Sequence, residues 1–276
     1  MFTLDKLLII IVLYNEKLID AAPLKSIELC NDLALYVYDN SLSPDLDANS
    51  YPNVTYIHDS RNPGVSSAYN SGVSFAKQIG REWVLLFDQD TILPADFLSK
   101  LQENINKLPF SNLYALRLLK EGNLISPCGY KYKRGYINND LHSGNLSMNN
   151  ISLLNSGLLI SVELFMEAGG YDESVPLYFS DFVFVNRLRK IMTNFTLLPI
   201  DLVHNLSSND MSDIKSFKIR YDLYLKGAKQ AMASEHSGSL YYFGSTLLRA
   251  VKLSFTLKDR YYLKSFSRHI LFPAKY

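Results

Sequence analysis

Short, wholly apolar runs alternate with segments of helical period over the first 110 residues of this chain. Leu7–Leu13 (LLIIIVL) and Trp83–Phe87 (WVLLF) contain no charged or hydroxylic residue, the mark of strands buried on both faces. Leu33–Tyr38 and Val54–Ile57 are two further short runs read as strands. A helix is expected over 18–29, and another over 65–79, where Val65, Ala68, Gly72, Val73 and Ala76 follow the turn signal Asn62-Pro63-Gly64. Pro94 stands early in a further helix reaching Leu108. This βαβαβ alternation predicts an α/β fold with a mostly parallel sheet and helices on both faces.

Beyond residue 110 the pattern loosens. Tyr114–Leu119 reads as a strand, 120–150 as a long Gly-, Asn-, Tyr- and Lys-rich loop, and Leu153–Ile160 as another apolar segment. Val162–Ala168 forms a short helix closed by Gly169-Gly170, followed by a helix over 182–191 and a strand over 195–198. From Ile214 onward the chain reads as helices with Tyr, Phe, Lys and Arg interleaved.

Composition narrows the class. With 276 residues, 47% hydrophobic and 20% charged, the chain can bury a sizeable core, as one large domain or one domain with an appendage. Two cysteines, Cys30 and Cys128, do not make a disulfide framework and suit a reducing cytosol. The seven apolar residues at the start are too few to span a bilayer and lack the flanks of a signal peptide. The sequons at Asn53, Asn145, Asn150, Asn194 and Asn205 are therefore read as chance matches. Charge is uneven: residues 211–276 carry 12 Lys/Arg against 4 Asp/Glu, and the remainder carries 16 against 23. A basic tail on an acidic body points to an anionic partner.

Chemistry gathers at the strand ends, where α/β sheets bind ligands. Asp88-Gln89-Asp90 follows the apolar run of the fourth strand, and two carboxylates at such an edge suit Mg²⁺ or Mn²⁺ holding a phosphorylated substrate. Tyr14-Asn15-Glu16 and Asp39 end the first two strands. Small residues around Asn62 and Gly64, leading to Asn70, let backbone approach an anionic ligand at a helix N-terminus, or serve close helix–sheet packing. No GxxxxGK[ST] motif occurs, so this is not a P-loop.

In order along residues 7–206, the segments IVLYNE, VYDNS, NPGVSSAYNSG, FDQDT, LNSGLLIS, GGYDES, SDFVFVNRLR and LVHNL resemble the family-2 glycosyltransferases of GT-A fold, and within them a rhamnosyltransferase-like group. The resemblance implies a GT-A (Rossmann-like) catalytic domain over 1–210, with a donor half to about 110 and an acceptor half beyond, and a helical C-terminal region over 211–276. It implies that Tyr14, Asn15, Glu16, Asp39, Asn62, Gly64, Asn70, Asp88, Gln89, Ser156 and Gly157 line the donor nucleotide sugar. Asp90 and His204, with Asp88, are the implied metal ligands, and Asp181 the base that deprotonates the acceptor hydroxyl. The family's second acid near that base is absent, with Val183 in its place.

The implied activity is inverting transfer of a sugar from a nucleotide diphosphate donor, dTDP-rhamnose or UDP-hexose, to a saccharide or lipid-linked acceptor in surface polysaccharide assembly. The implied place is the cytoplasm, with peripheral membrane contact through the basic, aromatic 211–276 region and a homodimer as further expectations. No nucleic-acid module is present. The alternatives are a catalytically degenerate sugar-nucleotide-binding scaffold, raised by Val183, and a sugar-phosphate nucleotidyltransferase, whose Gly-rich basic N-terminal loop is missing.

Overall fold

The structure is a computed structural model that describes residues 1–27, 33–51, 53–204, 214–235 and 238–272. In chain order its strands and helices are β1 (Leu7–Leu13), α1 (Ala22–Ser26), β2 (Ala34–Asp39), β3 (Val54–His58), α2 (Val65–Gln78), β4 (Trp83–Asp88), β5 (Thr91–Ile92) and α3 (Phe97–Lys107). The second half adds β6 (Leu113–Lys120), β7 (Asn123–Ser126), β8 (Cys128–Lys131), β9 (Arg134–Tyr136), β10 (Gly144–Ser147), β11 (Ile151–Ser152), β12 (Leu158–Ser161), α4 (Val162–Glu167), α5 (Ser180–Leu188) and β13 (Asn194–His204). Three α-helices follow among the described residues, α6 (Ile214–Ser234), α7 (Ser239–Thr256) and α8 (Tyr261–Phe266), the last running on into a π-helical turn over Ser267–Leu271.

The main sheet runs in the order β10-β13-β6-β12-β4-β1-β2-β3. Its β3-β2-β1-β4 part is parallel, as the crossover pattern requires. β12 then enters antiparallel between β4 and β6, so the sheet as a whole is mixed. All seven residues of β1 are buried, and their alternation divides the core in two. Leu7, Ile9, Ile11 and Leu13 face the layer that holds Phe97, Leu101 and Ile105 of α3. Leu8, Ile10 and Val12 face Ala68, Tyr69, Val73 and Ala76 of α2, with α4 and α5 beyond.

Several expectations are corrected. The helix over 18–29 is a 3-10 turn and the five-residue α1: Pro23 has no N–H to extend a ladder, and Ile27 is already extended. Glu28, Leu29 and Cys30 lie outside the described residues. The helix after Pro94 begins only at Phe97. The stretch 120–150 is not a loop but carries β7 to β10. Its tight turns, Glu121-Gly122 and Tyr132-Lys133, all have positive φ, which matches the twist of a two-residue hairpin. Finally, β13 does not stop at Leu198. Its register with β6 shifts between Leu197 and Asp201, a bulge around Pro199, whose missing N–H cannot pair, and the strand resumes as far as His204.

The C-terminal helices share their own apolar cluster, built from Tyr221, Leu225, Ala250, Tyr262 and Phe266. They dock where α6 comes so close to Tyr178 that a Cβ on Gly227 would lie 2.7 Å from its carbonyl oxygen. No helix among the described residues is long and apolar enough to cross a membrane.

Candidate active site

β4 delivers Asp88 at its carboxyl end, and the chain turns at once into β5. β5 pairs antiparallel with the far end of β13, in the register His204↔Thr91. That pairing brings His204 beside Asp90, with Nδ1 and Oδ1 3.2 Å apart. The two atoms are not aligned for a hydrogen bond, and both are buried without another partner. Buried unpaired polar atoms are costly, so a facing pair of this kind fits a cation between them. The electrostatics agree. Burial pushes the Asp90 carboxyl up to about 6; His204 opposes this, while Asp88 and Glu16 add to it. Excess negative charge at this edge is what a divalent ion offsets. Mg²⁺ and Mn²⁺ characteristically take one or two protein carboxylates and leave positions for water and phosphate. Among the described residues no group of three His, Cys, Asp or Glu side chains converges on one point. Asp90 and His204 are thus the residues that could hold a divalent ion.

Asp88 has an interior role instead of a place in that pair. Its Oδ1 accepts the Tyr69 hydroxyl at 2.9 Å, and burial raises its pKa. Its N–H donates to Ser156 Oγ at 3.3 Å, and Ser156 shares a 2.7 Å hydrogen bond with Thr91. Ser156 therefore braces the Asp88–Thr91 turn.

Asp181 sits in the first turn of α5, but it is not the helix cap: Phe179 holds that position, with a left-handed φ of 71°. Such a backbone on a bulky residue costs on the order of 1–3 kcal/mol and is characteristic of functional turns. One Asp181 oxygen accepts the Phe182 N–H at 2.8 Å. Burial pushes the carboxyl up to about 7, and the charge of Asp88 adds to the rise. A carboxylate poised near neutrality suits a general base. Tyr171 feels the charge of both Asp181 and Asp88, donates its hydroxyl to Asn155 at 2.8 Å, and stacks on Phe184 with ring centroids 4.3 Å apart. Val183 does not face this site; it is buried with Val175, Ala231 and Tyr242 where α6 and α7 dock.

At the β1 and β2 ends, Asn15, Glu16, Asp39 and Ser41 line a recess of about 570 Å³ with residues 42–47. Asp39 is buried at its base, accepting the Ser41 N–H at 2.8 Å and the Tyr56 hydroxyl at 2.6 Å. Ser41 Oγ in turn accepts the N–H of Asn15, whose φ is 54°. The Gln89 side chain is tied to the Tyr14 backbone, accepting its N–H at 2.6 Å and donating to its carbonyl at 3.2 Å. It fastens the β1 end to the β4 end, leaving the Tyr14 side chain exposed.

Four of the expected donor residues are also held by contacts within the protein. Gly64 has φ 92°, and a Cβ there would lie 2.3 Å from the Pro176 oxygen, which accepts the Val65 N–H that opens α2. Asn62, with φ 51°, makes the turn before it. Asn70 is fully engaged with the GGYDES segment: its amide donates to the Tyr171 carbonyl and to Glu173, and its oxygen accepts the Tyr171 N–H. Gly157, with φ 85°, packs against Leu116 and Leu202, and a Cβ would meet Leu202 at 2.9 Å. These residues position the site by docking 170–176 onto α2 and β12 onto β6. Tyr69, which donates to Asp88, and Tyr171, which packs against Tyr69 with ring centroids 5.4 Å apart, were missed by sequence reasoning. Tyr69 lay within the NPGVSSAYNSG motif, but only its helical phase against β4 reveals its target.

A mixed α/β sheet with its polar side chains collected at the carboxyl ends of β1, β2 and β4 is the GT-A, Rossmann-like architecture of nucleotide-sugar transferases. Residues 8–125 match the family model described as glycosyl transferase family 2. Among solved structures the chain is similar to TarS of S. aureus, with a TM-score of 0.55 and 13% identity over 90% of this chain. The chain spans 44% of that TarS chain. It is also similar to TarS 1–349 in complex with UDP (TM-score 0.55, 14% identity, 94% of this chain and 75% of that one). The same holds for TarS 1–349 in complex with UDP-GlcNAc (TM-score 0.55, 12% identity, 95% of this chain and 90% of that one). At these identities the likeness concerns the fold. No curated protein matches the chain.

Proposed function

We propose that this protein is a metal-dependent, inverting glycosyltransferase that takes a sugar from a nucleotide diphosphate donor. The observation that carries the reading is a division of labour between carboxylates: Asp90 faces His204 across a gap suited to a cation, while Asp181 is held apart with its carboxyl near neutrality. Paired acids pushed to different roles by their surroundings mark acid–base sites. The nucleotide lies over Asp39 and the Asn15–Glu16 recess, and its diphosphate reaches Asp90 and His204. A bound Mg²⁺ or Mn²⁺ supplies Lewis-acid stabilisation to the departing diphosphate. Asp181 takes the proton of the acceptor hydroxyl as that oxygen attacks the anomeric carbon from the face opposite the leaving group. The Tyr69 hydroxyl holds Asp88, Tyr171 packs against the Tyr69 ring, and the docked 170–176 segment holds α2 against them.

The TarS complexes with UDP and UDP-GlcNAc favour a nucleotide-sugar donor. The rhamnosyltransferase-like resemblance adds dTDP-rhamnose beside a UDP-hexose, with surface polysaccharide as the setting and Val183 no longer an argument for a degenerate scaffold. The test is release of nucleoside diphosphate from UDP- and dTDP-sugars with Mn²⁺, comparing wild type and Asp181→Asn. Release by the wild type that drops sharply in the variant is expected. Equal release by both removes Asp181 as base, and no release from any donor removes the enzyme reading.

A further inference from the structure

The place of Asp181 is set by the turn before it and by the helix it opens, and the C-terminal helices hold both. Phe179, two residues ahead, has the left-handed φ of 71°. Its ring lies against Tyr224 of α6, with centroids 5.1 Å apart, and meets Tyr242 of α7 edge-on at 5.5 Å. Its carbonyl accepts the Val183 N–H at 3.0 Å, an opening hydrogen bond of α5. An unfavourable backbone state persists only where its surroundings over-determine it, and here α6 and α7 are those surroundings.

Further along α5, two neighbouring residues are gripped by the end of α6. Asn186 donates to Glu235 Oε1 at 2.6 Å. Arg187 donates to Asp172 at 2.9 Å, and Ser234 donates to the same Asp172 oxygen. Consecutive residues stand about 100° apart around a helix, so the two holds together fix the rotation of α5 about its own axis. Glu235 reaches further. Its Oε2 accepts Lys133 Nζ at 2.9 Å from the β8–β9 hairpin and the Tyr242 hydroxyl at 2.6 Å from α7. Its side chain is only 12% exposed. The hairpin in turn packs on the first turn of α5, where the ring centroids of Tyr130 and Phe182 are 5.1 Å apart. One carboxylate thereby joins α5, α7 and the hairpin around Phe182, the residue after Asp181.

The apolar seam of Val175, Val183, Ala231 and Tyr242 already docks these helices. A buried ion pair in such a seam adds little stability over apolar side chains of the same size, but a fully satisfied polar network admits one arrangement. One arrangement is what a general base needs, because a displacement of about 1 Å can cost about 10²-fold in rate.

We propose that Glu235 is a positioning residue of the transfer reaction: through Asn186 and Tyr242 it fixes the rotation of α5 and the Phe179 turn, and so aims Asp181 at the acceptor oxygen. The inference rests on the glycosyl-transfer reading and extends the working site to the C-terminal helices.

The test is release of nucleoside diphosphate from UDP- and dTDP-sugars with Mn²⁺ by the whole chain as wild type, Glu235→Ala, Glu235→Gln and Tyr242→Phe. Turnover is counted per site that binds UDP or dTDP in calorimetry, so that unfolded molecules drop out. Glu235→Ala is expected to lower kcat by about 10- to 100-fold and Tyr242→Phe by about tenfold, with donor KM and nucleotide affinity within about twofold of the wild type. Glu235→Gln, whose amide oxygen still accepts from Asn186, should stay within about fivefold of the wild type. A side chain that served the fold alone would lower the number of binding sites and leave kcat per site unchanged, which overturns the proposal. So does a loss that appears in donor KM instead of kcat. A Glu235→Gln protein no better than Glu235→Ala overturns it as well, since the loss would then follow the charge and not the hold on α5. If the wild type releases nothing from any donor, the transfer reading falls and this role with it; if the wild type turns over and the variants match it, the positioning role alone falls.

Discussion

Replacing Asp181 with Asn separates what this carboxyl does for folding from what it does for chemistry, because the two effects have opposite sign. Its pKa rises from 3.8 to about 7, chiefly through burial. The folded protein therefore binds a proton that the unfolded chain has already lost between these values. Stability from this group is complete below about pH 4 and is lost as pH rises through 7. The full shift of about three units corresponds to roughly 4 kcal/mol, an upper bound because the side chain is only half-buried. Asp181→Asn removes the charge while its amide oxygen can still accept the Phe182 N–H. In urea unfolding the variant should therefore gain about 2–3 kcal/mol on the wild type between pH 5 and pH 8. Over the same range, sugar transfer should fall by about 10²–10⁴. The wild-type kcat/KM should climb with pH on a limb centred near 7. Parallel stability curves for the two proteins, or a rate limb well below pH 5, would refute the claim that burial holds this carboxyl poised.

Other consequences follow from particular contacts. Gly64→Ala puts a Cβ against the Pro176 oxygen at a φ of 92°, so urea unfolding should show a loss of about 2 kcal/mol or more, with weaker docking of 170–176. Gln89→Ala removes both hydrogen bonds to Tyr14, and a loss of about 1–2 kcal/mol with weakened UDP binding is expected by calorimetry; unchanged binding would show that the β1–β4 clamp is irrelevant to the recess. Val183→Glu, which restores the acid seen in the family pattern, should cost about 3 kcal/mol or more and raise no activity, because the position is 2% exposed among apolar side chains. A folded and more active Val183→Glu protein would contradict that packing.

The parallel half of the fold was legible because β1 is apolar throughout and β4 is apolar up to Asp88, a pattern no exposed element tolerates. The Asp90–His204 pair was legible only in pieces. Asp90 announces itself after the buried strand, but its partnership with His204 depends on β13 surviving the Pro199 bulge, and propensity argues for a break there. The β8–β9 hairpin was missed because its turn residues are Tyr132 and Lys133, not the Asn or Gly that normally signal positive φ. Gly64 and Asn70 were assigned to ligand from local sequence, yet their partners lie more than a hundred residues away in 171–176, a long-range fact that no local pattern encodes. At Val183, where the motif lacks an acid, the side chain turns into the core, a direction no local pattern gives.

The proposed role of Asp90 and His204 is to hold a divalent ion for the donor diphosphate. Calorimetry of UDP and dTDP, with and without Mn²⁺, on wild type, Asp90→Asn and His204→Ala decides this. Mn²⁺ should tighten nucleotide binding to the wild type by about tenfold or more and have little effect on either variant. Binding that is equally strong without the metal, or equally enhanced by Mn²⁺ in all three proteins, would contradict it.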